Sequence, residues 1–466
     1  MADHFCTGDN PWTGVYHVGI MKCTQSAPVK PGLYINDGRV KFKNLKNCFV
    51  GENGLPVFDL SNPMRRKRNQ YKTIFGPYGV GNFQFPHCGN EGLILALRRL
   101  TKVREPERYG YDAMLTANQR TVFDWLADLY VDFTSKLSVL IKRSFDHSLD
   151  HLQLRERWAY DTSNPKWRMR VDDFLLQVDE GDVSGTTGIR GYVDVKPKET
   201  EANAKGKPGN EKVGRVIGDL GVRASSKFGP YADYVKAAMI EEFSTRRGSF
   251  QFVSDTTPGE MRRVFTRLND HCTGFLFFYH SDDVVASVKC RDGILRMNCD
   301  ISACDGSHRH IIKVFEEFLS GIDARWYDDV KQTFEQLRTN FRVRSEDGSQ
   351  SAVGSCADPQ LYSGSTLTTI MNCFAVCVAI LCFEVYYDPG MTMSETSDQV
   401  IKSFERAGYL ITTQICEEFS DFQFLKYSGV ILDEGVAVYR NIGAWLKFFG
   451  TCDGDLPGRS SVPIRE

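Results

Sequence analysis

Apolar and polar positions repeat with two different periods along this chain. Over residues 118–133 apolar side chains recur three and four apart, which predicts a helix from about residue 117 to 145. Residues 275–280 form an apolar run, 284–290 are largely β-branched and apolar, and Asp292-Gly293 is a hairpin turn signal leading into 294–299. These segments predict strands. Residues 370–383 are the most apolar window, include Asn372, and fall short of the roughly 20 residues a bilayer-spanning helix needs. A buried helix is expected there, and no transmembrane segment. Between residues 191 and 219 short strands are expected around the Lys/Gly/Pro-rich segment 204–212, which reads as a mobile basic loop. Residues 1 to about 100 are rich in Gly, Pro, Asn and aromatics, and predict loops and short strands wrapped over other elements. No internal repeat is present.

Asp282 and Asp283 interrupt the two apolar runs, and the hairpin geometry says what lies near them. If Asp292-Gly293 is a two-residue loop, Asp300 lies opposite Val285. Asp283 then shares the face of Val285 at a diagonal spacing of roughly 7 Å. The turn carrying Asp282 falls within side-chain reach of Asp300. Three carboxylates gathered at neighbouring strand ends repel one another unless cations lie between them, and oxygen-only ligands favour Mg²⁺ or Mn²⁺. Two such ions serve phosphoryl transfer, one activating a hydroxyl and one neutralising the leaving group. A solvated turn between strands is the alternative reading of the Asp pair taken alone.

Composition narrows the partners. The 466 residues carry 57 basic and 59 acidic side chains, so a nucleic acid would be held by local basic surface and not by net charge. The 14 cysteines include no C-x-x-C pair, which excludes zinc-ribbon spacing and fits free thiols in a reducing compartment. The polar start Met-Ala-Asp-His-Phe-Cys is unlike a secretory signal. Arg65-Arg-Lys-Arg68 could touch template phosphates or be a solvated loop, and Cys373, Cys377 and Cys382 read as small buried side chains.

Two further patterns complete the picture: Asp300-x4-Asp305, and Ser363-Gly364-x3-Thr368-x3-Asn372, a Ser-Gly loop opening a helix with Thr368 and Asn372 on one face. Together with Ser281-Asp282-Asp283 they resemble motifs A, B and C of viral RNA-dependent RNA polymerases. Motif C comes first, and the order C-A-B resembles the permuted polymerases of birnaviruses and permutotetraviruses. Ser281 stands where Gly is usual. The segments 195–200 and 212–221 are similar to motif F, with Lys198, Lys212 and Arg215 as triphosphate-binding residues. Residues 422–429 resemble motif E, with Phe424, Leu425 and Lys426 as the primer grip. Residues 404–413 have the outline of motif D without the basic residue expected after it.

The resemblance implies an α+β right-hand fold: N-terminal extension and fingers over 1–264, a palm of antiparallel strands with helices over 265–432 with a fingers insertion at about 311–360, and a reduced thumb over 433–466. It implies template-directed RNA synthesis from NTPs with two Mg²⁺ or Mn²⁺ ions. Asp282 and Asp300 would be direct metal ligands and Asp283 a peripheral one. Asp305 and Asn372 would sense the ribose hydroxyl, with Ser363, Gly364 and Thr368 in the nucleotide site. Implied partners are the RNA template and its primer or nascent strand, in a replication complex of the host-cell cytoplasm. It leaves room for other viral replication proteins as partners and for the virion as a second location. A reverse transcriptase-like or terminal nucleotidyltransferase, and an inert RNA-binding replication cofactor, are the alternatives. Asp305 argues against the first, since reverse transcriptases put a bulky aromatic there, and the intact Asp282, Asp300 and Asn372 against the last.

Overall fold

The computed structural model describes residues 15–16, 38–58, 71–72, 113–161, 187–192, 215–245 and 249–440, with short interruptions inside several of these spans. Strands of three or more residues run in chain order as β1 (Val40–Lys46), β2 (Thr187–Tyr192), β3 (Arg215–Asp219), β4 (Phe250–Phe252), β5 (Phe275–His280), β6 (Asp283–Cys290), β7 (Gly293–Ile301), β8 (Phe341–Arg344), β9 (Ser351–Cys356), β10 (Ile411–Ile415), β11 (Tyr427–Leu432) and β12 (Gly435–Arg440). The α-helices with defined ends are α1 (His151–Asp161), α2 (Gly221–Thr245), α3 (Pro258–Asp270), α4 (Cys304–Ser307), α5 (Ile311–Ser320), α6 (Tyr327–Gln336), α7 (Thr368–Tyr386) and α8 (Met393–Arg406). The class is mixed α+β.

A central sheet in the order β10-β7-β6-β5-β4 holds the candidate site. Its strands β5, β6 and β7 form an antiparallel meander. One face of it, with Phe277, Tyr279, Val284, Ala286 and Met297, packs into the main core beneath α7 and α8. The other, with Leu276, Phe278 and Val285, joins a smaller core under α3 and the β11–β12 hairpin. Both faces are covered, which is why these strands read as continuous apolar runs. The sheet is not wholly antiparallel as expected. β4 pairs parallel with β5, and α3 between them is the crossover a parallel pair requires. Thr257 caps α3, accepting from Glu260 N–H at 3.4 Å, with Pro258 at the first helical position.

The helix of the apolar window is longer than the window. α7 spans 19 residues, and Ile370 through Phe383 are all buried within it. By length and composition it could cross a membrane, but most of its apolar stretch lies inside the protein, packed on β5, α5 and α8. Apolar character all round a helix suits such a core position. The next helix, α8, opens with a reciprocal capping box between Thr392 and Glu395.

A second sheet in the order β1-β9-β8-β2-β3 joins strands far apart in sequence. The segment 311–360, expected as an insertion, supplies α5, α6, β8 and β9, and β9 pairs with β1. Of the short strands expected between residues 191 and 219, β3 lies inside that span, whereas β2 begins ahead of it at Thr187, and the two pair antiparallel. The loop 204–212 lies outside the described residues. Residues 113–121 and 137–143 are helical, so helix begins four residues ahead of the one expected from about 117 to 145, and 122–134 are outside the description. Asp329 on α6 accepts from Arg155 of α1 at 2.6 Å and from the Tyr231 hydroxyl of α2 at 2.8 Å, tying three helices together.

Candidate active site

The meander fixes the aspartates. Asp283 pairs directly with Asp300 across β6 and β7, with His280 on its other side and Thr412 beyond Asp300. The expected register was two residues off, with Asp300 opposite Val285. The loop is Arg291-Asp292, with Cys290 opposite Gly293. Asp292 has no positive φ, so the Asp-Gly pair does not form the primed turn its sequence suggests. Its carboxylate instead accepts the Met393 N–H at 2.9 Å, at the start of α8. This correction brings the carboxylates closer than the diagonal the sequence implied. Like charges directly opposite on a sheet are destabilising without compensation.

Asp282 sits in the preceding two-residue turn beside Ser281, whose φ of 56° is left-handed. Glycine occupies such a position without strain, whereas a residue with a Cβ costs roughly 1–2 kcal/mol there. Two contacts hold Ser281 in place. Its N–H points at Cys373 Sγ at 3.2 Å, and its Oγ accepts from Asn372 Nδ2 at 2.9 Å. The surrounding charge registers on neighbouring thiols. Cys304 is pushed well above the ordinary thiol range by burial, then by the fields of Asp282, Asp305 and Asp300. Cys373 is pushed up to about 12 by burial, with Asp282 adding to the rise and Lys236 on α2 opposing it. Three carboxylates therefore act on one buried sulfur.

A second set of hydrogen bonds joins the short helix α4, just after β7, to α7. Asn372 Nδ2 donates to Asp305 Oδ1 at 3.0 Å, and Ser363 Oγ donates to Asp305 Oδ2. Thr368, the first residue of α7, returns its hydroxyl to the Tyr362 carbonyl at 3.0 Å and so closes the Ser-Gly loop. Gly364 adopts φ 104°, which explains glycine at that position. Asp305 and Asn372 are thus bonded to each other, and both reach Ser281 and the acidic turn through one amide.

Other expected residues fall elsewhere. Phe424 is 1% exposed in the smaller core, while Lys426 is exposed at the tip of a two-residue turn. Leu425 and Lys426 both have positive φ, 51° and 68°, with Phe424 and Tyr427 exchanging both backbone hydrogen bonds. Two side-chain-bearing residues in that conformation are a strained presentation of Lys426. Residues 404–413 pass from α8 through Gly408 to β10 on the edge of β7. Lys198, Lys212 and Arg65–Arg68 lie outside the described residues. Arg215, the first residue of β3, pairs with Tyr192 of β2, and its side chain is outside the description. Cys377 donates to the Tyr279 hydroxyl at 2.9 Å and lies buried with Cys373 and Cys382.

Sequence reasoning missed several residues that shape the site. Gln119 donates to the carbonyls of Ser307 and Gly408 at 2.8 and 3.0 Å and accepts from Arg309 N–H at 2.8 Å, clamping the end of α4, the short helix that carries Asp305. His308 and Tyr409, both fully buried, back Asn372. No periodicity marks such long-range polar contacts.

Among the described residues no three His, Cys, Asp or Glu side chains stand ready in metal-holding geometry. The donor set nonetheless has the chemistry of a hard-cation site. Asp282, Asp283 and Asp300 are oxygen donors on adjoining backbone positions, and their mutual repulsion is what a divalent cation relieves. The chain matches no family model and no curated protein.

Proposed function

We propose that this chain is a template-directed RNA polymerase of right-hand architecture, with the central sheet as its palm and the second sheet as part of its fingers. The observation that carries the reading is the register that pairs Asp283 with Asp300 beside the Asp282 turn, with Asp305 and Asn372 hydrogen-bonded next to it. Asp282 and Asp300 would hold two divalent ions, with Asp283 peripheral. Bound Mg²⁺ or Mn²⁺ would lower the pKa of an attacking hydroxyl and neutralise charge on the triphosphate. The chain's own residues do the rest: the Ser281 turn sets Asp282 against α7, and Asp305 with Ser363 offers polar atoms to a ribose. Each Asp305 oxygen already accepts one hydrogen bond and retains a lone pair for a sugar hydroxyl. Template, primer or nascent RNA strand and NTPs are the proposed partners, in a viral replication complex of the host cytoplasm.

The test incubates purified protein with a homopolymeric RNA template, labelled NTP and Mg²⁺ or Mn²⁺, beside an Asp282→Ala control. Template-dependent product that vanishes in the control supports the reading. Product without template points to a terminal transferase. Equal incorporation by both proteins removes Asp282 from catalysis.

A further inference from the structure

Behind Asn372 the hydrogen bonds continue inward to groups that the polymerase reading does not use. His308 Nε2 lies 2.8 Å from Asn372 Oδ1, and His308 Nδ1 lies 2.8 Å from the Tyr409 hydroxyl. Cys304 Sγ is a further neighbour of Nε2 at 3.8 Å. His308 and Tyr409 are both 0% exposed. Their donor and acceptor roles follow from Asp305. An ionised carboxylate only accepts hydrogen bonds, so the Asn372 edge facing Asp305 must be its NH₂ group. Asn372 Oδ1 then faces His308, which must carry its proton on Nε2. In the neutral imidazole Nδ1 is left to accept from Tyr409 O–H. One carboxylate thus fixes the direction of every bond out to Tyr409.

The converse matters for function. An amide whose Oδ1 lost its buried donor could turn over and set that oxygen against the Asp305 carboxylate. We propose that His308 is a positioning residue for sugar selection. By donating from Nε2 it holds Asn372 in the one orientation that pins Asp305 and Ser281, and Tyr409 holds His308 in the required tautomer. This inference rests on the polymerase reading of the site and adds a residue to it that never touches substrate.

The experiment measures the ratio of catalytic efficiencies for ATP and dATP on one RNA primer-template with the full-length protein. His308→Leu removes the donor. His308→Gln keeps an N–H able to reach the place of Nε2. Tyr409→Phe removes one hydroxyl and frees the tautomer. His308→Leu should narrow the ratio by about tenfold, since a buried acceptor left without its donor costs about a factor of ten. His308→Gln should restore most of the wild-type ratio, and Tyr409→Phe should narrow it by about threefold. A purely structural histidine would lower overall rate and thermal midpoint and leave the ratio alone. The inference is overturned by a folded His308→Leu protein that keeps the wild-type ratio, or by a glutamine variant that falls as far as the leucine variant. Should His308→Leu not fold, an unchanged ratio in Tyr409→Phe overturns it equally. Wild-type protein without template-directed incorporation would sink the polymerase reading and the sugar role together. Variants that polymerise with an unchanged ratio would sink the sugar role alone.

Discussion

Two tight turns close the same meander, each with an aspartate in second place, and their surroundings give those aspartates opposite roles. At Arg291-Asp292 the turn docks on the start of α8. Arg291 N–H donates to the Met391 carbonyl at 2.8 Å, and Asp292 accepts from Met393 N–H at 2.9 Å. That carboxylate satisfies a donor every helix start leaves open. At Ser281-Asp282 the turn docks on α7 through Cys373 and Asn372, and Asp282 acts with Asp305 and Asp300 on the buried Cys304 thiol. One turn spends its charge at a helix start; the other sets its carboxylate among those of Asp305 and Asp300, where the proposed metal ions would bind.

The contrast breaks most sharply at the proposed metal ligands. Asp300→Ala should lower template-directed incorporation by roughly 10³-fold or more, equivalent to about 4 kcal/mol in the barrier. Asp283→Asn, at the peripheral position, should cost only about 10- to 100-fold. Equal losses would make the two ligands equivalent. Single-turnover kinetics at saturating NTP provide the comparison.

Next in size is sugar discrimination. Asp305→Ala or Asn372→Ala should narrow the ATP-to-dATP preference by about tenfold, given about 1–3 kcal/mol for an unpaired buried polar group. A preserved preference in both variants would leave the pair as a structural link between α4 and α7.

The helix-capping turn should answer to stability and not to chemistry. Asp292→Ala should cost about 1 kcal/mol, the usual effect of losing a cap, read as a lower urea midpoint with unchanged incorporation. Loss of incorporation at full stability would mean that the two turns do not differ as described.

The smallest effect concerns thiols beside the acidic turn. Only the thiolate is nucleophilic, and Cys373 is pushed up to about 12 by burial and then by Asp282. Iodoacetamide at pH 8 should therefore modify exposed Cys272 in the folded protein and spare Cys373 and Cys304. Mass spectrometry showing Cys373 labelled as fast as Cys272 would contradict its burial beneath Ser281.

Much of this contrast was legible in the sequence, and the remainder shows what local patterns omit. The apolar runs around Asp282 gave β5 and β6, and the run 370–383 gave the buried part of α7. The register did not follow, because Asp292 is recruited by Met393, a hundred residues away in sequence. A turn rule sees only its own backbone. The parallel edge strand β4 was missed because three residues, Phe250–Phe252, carry too little alternation to declare themselves. The resemblance to motifs A and B is what put Asp305 and Asn372 in one site, and they are hydrogen-bonded at 3.0 Å. Gln119, His308 and Tyr409 carried no signal, since their hydrogen-bond partners lie 64 or more residues away along the chain.

One paired substitution tests the central claim most directly. Asp282→Asn and Asp292→Asn make the same chemical change at the same place in two turns of one meander. With RNA template, labelled NTP and Mg²⁺ or Mn²⁺, Asp282→Asn should drop to background while Asp292→Asn keeps the wild-type rate. Full incorporation by Asp282→Asn, or equal loss in both proteins, would contradict the assignment of the Ser281-Asp282 turn as the catalytic one.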